Sequence, residues 1–178
     1  MLKKLTDIPP VSDFESQGKR ISSKIYVLDE ADVDYSKLPE ITESDSARSM
    51  AAITLKSSAN GWKEINFAKY TAGSTSEGSQ GDVTSTVNNS LTGTIGGESV
   101  AIDNFIESRV GCPVFVVTID RFTRKKTIYG RPYSPMFLSA FTRRKNGENT
   151  STDVTFSNES FFQPLEYLGE VTTPASDA

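Results

Sequence analysis

The chain contains no histidine. That removes the commonest general base and metal ligand, and with it the Ser-His-Asp and Cys-His routes to nucleophilic catalysis. A single cysteine, Cys112, permits no internal disulfide, so nothing points to an oxidising compartment. It follows Gly111 and precedes Pro113 at the mouth of a hydrophobic run, the setting of an inert buried thiol. Apolar residues make up only 36% of the chain, so the expected core is modest and much of the backbone is left for solvent or partners. No apolar run reaches the ~20 residues of a bilayer span. The opening MLKKLTDIPP also lacks the apolar stretch of a secretion signal. The expectation is a soluble chain made in a cytoplasm, with no membrane contact, metal or cofactor.

Charge is unevenly spread behind a formal net value of −4. Asp29 to Asp45 hold seven acidic residues and one lysine, whereas Arg109 to Lys145 hold nine basic residues and one acid, Asp120. Two such regions pair within the chain, meet a neighbouring copy, or serve separate partners. Asp29, Asp32 and Asp34 resemble a calcium loop only superficially, because the turn glycine and the distal glutamate are missing at the required offsets.

The most regular stretch is Val83 to Ile95, VTSTVNNSLTGTI. One parity carries Val83, Val87, Leu91 and Ile95; the other carries Thr84, Thr86, Asn88, Ser90, Thr92 and Thr94. Period two predicts a strand, here unusually long, with a polar face of hydroxyls and amides and no charge. Trp62 to Tyr70 is expected to be its hairpin partner, with TAGSTSEGSQGD as a flexible tip between them. Upstream, KIYVL over Lys24–Leu28 reads as a strand, the acidic stretch to Ser46 as a loop, and Met50–Lys56 as a strand turning at Asn60-Gly61. A helix is predicted over Val100–Val110, with Ile102, Phe105, Ile106 and Val110 as its apolar stripe, Ser99 as cap and Gly111 as stop. VFVVTI over Val114–Ile119 fits a central strand covered on both faces. Then come a basic turn Arg121–Lys126, a return strand Lys126–Tyr129, strands over Met136–Thr142 and Thr152–Ser157 joined at Asn146-Gly147, and a last strand Phe161–Leu168 that Pro164 marks as edge or bulged.

The fold class expected is mainly β: an antiparallel sandwich or barrel with one flanking α-helix and a long extended β-hairpin. The organisation expected is an N-terminal arm and acidic loop region (1–46), a sandwich or barrel domain (47–170) with the hairpin at 62–95 and the helix at 100–110, and a flexible C-terminal tail (171–178).

This order of elements, with GCPVFVVTIDRFTRKKTIYGRPYSPMFLSAF followed by TDVTFSNESFFQPLEYLG, resembles the tail tube fold of tailed bacteriophages, over roughly residues 50 to 170. The resemblance implies a structural virion protein of the tail, neck or head-to-tail connection, assembled in the host cytoplasm. It implies copies joined into a ring or tube, contacts with other tail or neck proteins, and genomic DNA passing transiently through the channel. Thr84, Thr86, Asn88, Ser90, Thr92 and Thr94 would then face that channel. Arg121, Arg124, Lys125, Lys126, Arg143, Arg144 and Lys145 would lie at a subunit interface or on nucleic acid.

Two other classes fit parts of the chain. The basic residues of 121–145 interleave with Phe122, Tyr129, Tyr133 and Phe141, as a nucleic-acid-binding barrel of the OB type requires. Asp103, Glu107 and Asp120 are the carboxylates a glycosidase-like site would use, although no spacing selects them. The sequence favours a non-enzymatic role.

Overall fold

The computed structural model describes residues 21–81, 84–147 and 149–171. The arm expected before residue 21, Val83 at the head of the long strand, and the tail after Val171 lie outside these residues.

Among the described residues, eleven strands and one α-helix follow each other as β1 (Ile21–Asp29), β2 (Ile41–Glu43), β3 (Arg48–Met50), β4 (Lys63–Asn66), β5 (Gly73–Gln80), β6 (Ser85–Gly96), α1 (Val100–Arg109), β7 (Pro113–Asp120), β8 (Lys126–Tyr129), β9 (Met136–Lys145), β10 (Thr150–Ser160) and β11 (Leu165–Tyr167). The chain is a mainly β sandwich or barrel with one flanking helix. Its strands run in the order β2-β3-β11-β8-β7-β9-β10-β6-β5, and β1 pairs with both β7 and β4. All pairings are antiparallel except β3 with β11, so the sheet is mixed rather than purely antiparallel.

The run PVFVVTID makes β7 the axis of the fold, because its alternate side chains enter two different cores. Val114 and Val116 join Ile25, Val27, Leu91, Leu138, Val154 and Phe156 on one face. Phe115 and Val117 join Leu28, Met50, Trp62, Ile128 and Tyr167 on the other. Each fully buried Val, Leu or Phe contributes about 1.5–3 kcal/mol of transfer free energy, so these two layers carry the fold. In the second core the Tyr167 hydroxyl accepts the Ile53 N–H at 3.1 Å, which satisfies both buried groups.

The helix begins where expected, the Ser99 hydroxyl accepting the Ile102 N–H at 3.3 Å. It ends at Arg109, ahead of Gly111 at φ +76°. Ile102, Phe105 and Ile106 turn inward, and Ile102 and Phe105 pack on the first core. Val110 falls past the last turn and is exposed.

Several expected elements differ. The long hairpin does not use Trp62–Tyr70: β4 pairs with β1, and the partner of β6 is β5, built from GSTSEGSQ, the stretch expected to be a flexible tip. Glycine and serine gave no apolar alternation to read, but β6 offers a row of backbone groups that β5 satisfies. Gly61 has φ +70°, yet the segments beside it do not pair with each other. β1 belongs to the main sheet, and β2 and β3 form a hairpin within the acidic region, so residues 21–46 are stitched into the same body as the rest. Arg143, Arg144 and Lys145 sit on β9 rather than in a turn. β11 spans only three residues between β3 and β8, with Pro164 just before it and not on an edge.

A candidate assembly interface

The parity of β6 is as the alternation predicts. Leu91, Gly93 and Ile95 point into the core, and Thr86, Asn88, Ser90, Thr92 and Thr94 form the opposite face, half-buried or exposed. Gly93 has a specific reason: a Cβ there would lie 2.4 Å from the Phe67 ring, so the ring occupies the space a side chain would fill. Thr84 lies just outside the strand, where its carbonyl accepts the Gly81 N–H and closes the hairpin turn.

The outer face of β6 continues over its neighbours. Register places Thr75, Glu77 and Ser79 of β5 beside Ser90, Asn88 and Thr86, and Asp153, Thr155, Ser157 and Glu159 of β10 beside Thr94, Thr92, Ser90 and Asn88. Residues directly opposite in a ladder share a face, so Glu77 and Glu159 flank Asn88 on both sides. The Thr94 hydroxyl donates to Asp153 at 2.6 Å, and Arg144 neutralises that carboxylate at 3.2 Å. Over β5, β6 and β10 the face is therefore hydroxyl, amide and acid, and on β9 register adds Phe137, Ala140, Thr142 and the paired Arg144.

On the inner parity, Asn89 breaks the apolar pattern and is buried. Its side-chain oxygen accepts the Ser76 hydroxyl at 2.7 Å, and its amide nitrogen donates to the Asn158 side-chain oxygen at 3.1 Å and the Phe162 carbonyl at 2.9 Å. Asn158 donates onward to the Ser134 and Pro135 carbonyls. Beside them the Arg131 guanidinium lies 4.1 Å from the Phe162 ring centroid and donates to Glu43 at 2.9 Å. That hydrogen bond holds the Glu43 carboxyl below its ordinary value. Hydrogen bonds and this cation–π contact thus link β2, Arg131 and Phe162 to Asn89, midway along the hairpin. An asparagine among Val87, Leu91 and Ile95 was the one sequence signal of this node.

Sheet edges complete the interface. Among the described residues, β5 has no strand on its far side. β9 pairs with β7 only at Pro113–Phe137 and Val114–Met136 and has a bridge to Val110 at Leu138, so Ser139 to Lys145 also leave one edge unpaired. The four strands β5-β6-β10-β9 are the end of the main sheet; among the described residues β5 is unpaired along its outer side and β9 is unpaired beyond Leu138.

No family model, curated protein or solved structure matches the chain.

The two basic groups do not come together. β9 runs antiparallel to β7 and leaves it at Val114, so Arg143–Lys145 lie at the opposite end of β7 from Arg121–Lys126. Most of these charges also have internal partners: Lys125 with Glu166 at 3.6 Å, Lys126 with Glu170 at 3.5 Å, Arg143 with Asp103, and Lys145 with Glu98 at 2.9 Å. Arg121 stacks over Tyr70 at 5.0 Å, and Arg124 occupies the turn at φ +60°. Of the aromatics read beside them, Phe122 and Tyr133 are exposed, Phe141 is half exposed, and Tyr129 belongs to the core. The acidic and basic regions meet through Arg109 and Asp29 at 2.7 Å and through Arg131 and Glu43.

Two of the three carboxylates considered for catalysis have structural partners. Asp120 accepts the Phe122 and Thr123 N–H groups and so builds the basic turn. Asp103 is held by Arg143, and Glu107 is exposed on α1. In the acidic region, Asp32 accepts the Asn60 N–H and Asp34 accepts from Ser36.

Proposed function

We propose that this chain is a structural subunit of a tailed-bacteriophage virion, forming a ring or tube of the tail or head-to-tail connection through which DNA passes. The observation that carries this reading is the β9-β10-β6-β5 end of the main sheet, which among the described residues is unpaired along β5 and along β9 beyond Leu138 and carries no net positive charge on its outer face. Unpaired edges are templates for another chain, and natural proteins normally blunt them with lysine, proline or a covering element. β5 has none of these; its eight residues are glycine, serine, threonine, glutamine and one glutamate. Joining the β5 edge of one copy to the β9 edge of the next is a head-to-tail contact, which closes into a ring when the rotation allows.

The outer face then lines the channel. Hydroxyls and amides keep it wet, and Glu77 and Glu159 repel phosphate, so DNA finds no fixed cation to hold it. An OB-type nucleic-acid surface has less support, because the basic residues lie at two ends of β7 and most are neutralised.

Electron microscopy of the purified or co-expressed chain tests the assembly, with rings or tubes expected. A chain that stays monomeric at high concentration and with virion partners overturns it. Thr86→Lys with Ser90→Lys tests the face: rings are expected to form normally while DNA passage, read as infectivity, falls. Full infectivity with both lysines present places that face outside the channel.

A further inference from the structure

Among the described residues, β4 has only one strand partner, β1. Continuing its register with β1 sets Phe67 opposite Ser23, and the Phe67 N–H donates to the Ser23 carbonyl at 2.7 Å. In an antiparallel ladder, hydrogen-bonded and non-bonded pairs alternate, so the Lys63 and Ile65 N–H groups point to β1 and those of Glu64 and Asn66 point away. On that outer side the Ala68 N–H donates to the Thr94 carbonyl at 2.7 Å. β4 and β6 therefore touch at Ala68–Thr94 and splay apart toward Lys63. The wedge between them is a groove of about 350 Å³, walled by α1 and floored by Ile65, Ile95, Ile102 and Phe105. It has the two requirements for strand addition: outward-pointing backbone donors with no partner among the described residues along one wall, and an apolar bed beside them.

We infer that this groove receives part of residues 1–20 from a neighbouring copy, added to the outer edge of β4. The groove shuts at the Ala68–Thr94 end, beside which the chain's own Ile21 enters the sheet, and it opens at the Lys63 end. An incoming segment is thus best placed to enter from outside the molecule. Residues 1–20 carry Leu2, Leu5, Ile8, Val11 and Phe14 as apolar anchors, whereas residues 172–178, TTPASDA, have no large apolar side chain. Twenty residues reach at most ~66–72 Å, more than the breadth of ~40 Å expected for a domain of this size, so the segment is long enough to cross to the next copy. This inference rests on the chain assembling with itself.

The test uses the full chain and reads two things: amide exchange at Glu64 and Asn66, and assembly by sedimentation over a concentration series. In assembled wild-type protein both amides are expected to exchange about tenfold slower than in the dilute chain. Val11→Ser with Phe14→Ser, and separately Ile102→Glu, are each expected to abolish that protection and to raise the concentration needed for assembly about tenfold. The serine variant alters no described residue, so it stays informative even if Ile102→Glu fails to fold. Mixing the two variants restores one intact segment on one intact groove, and protection is expected to return in the copies carrying Ile102. Assembly with both amides unprotected, or a mixture that recovers nothing, overturns the inference and leaves the ring standing. Protected amides in a chain that is monomeric at every concentration mean the segment folds back on its own groove, which overturns both. A monomer with unprotected amides does the same.

Discussion

β7 and β5 are both eight residues long, and they are opposites. β7 has five consecutive residues buried, from Val114 to Thr118, and hydrogen-bonds to β1, β8 and β9. β5 is exposed along nearly all its length and pairs only with β6. A strand held by side-chain burial is specified by its own residues. A strand held by one neighbour's backbone is specified by that neighbour, and its free surfaces suit another chain. The contrast separates what holds this fold together from what the proposed assembly would use.

The largest test of that contrast is Phe115→Ala. Removing a fully buried ring from the second core is expected to cost about 3–5 kcal/mol, measured as a lowered urea midpoint. Ser79→Ala on β5 is the matched control and should stay within about 0.5 kcal/mol in the monomer. Equal losses at the two sites mean that β5 carries stability of its own. An intermediate effect is expected at the hinge between the regions: Asn89→Ala strands the Ser76 hydroxyl and the Asn158 and Phe162 acceptors, for about 1–3 kcal/mol. Faster amide exchange across β5 and β6, with β7 unchanged, locates that loss.

The smallest effect is one of pH. The Arg131 hydrogen bond depresses the Glu43 carboxyl, so its contribution is fully present above the ordinary carboxylate range and is lost as pH falls through the lowered folded-state value. Because about a third of that side chain is exposed to screening solvent, the contribution is expected to stay below about 1 kcal/mol. Glu43→Gln should lower the urea midpoint slightly at neutral pH and match wild type in acid. A gap that persists in acid assigns the pair no electrostatic role.

How much of this was legible follows from the same contrast. VFVVTI announced a strand covered on both faces, Ser99 and Gly111 bracketed the helix, Asn146-Gly147 marked the β9–β10 turn, and Val154 and Phe156 pointed inward as read. Each is a local signal with a local cause. β5 was not legible, because GSTSEGSQ is extended only to complete the ladder on β6. Nor was the pairing of β4 with β1, since the parity of Ile65 and Phe67 gives the face of a strand and not its neighbour. For the interface, the polar face of β6 could be read, but Glu77 and Glu159 join it only through register. The node at Asn89 needs Ser76, Asn158 and Phe162 from three separate segments.

The position of β1 also sets an order of events in time. Its partner β7 is synthesised far later, Ile25 facing Thr118, and that pairing brings together distant parts of the chain. During translation Ile25, Val27 and Leu28 therefore emerge long before β7, and until it is made β4 is the one described strand partner available to β1. For a chain built with open edges, that interval is when premature pairing with other copies is most dangerous. Slow emergence of β7 is therefore expected to lower the yield of correctly folded protein.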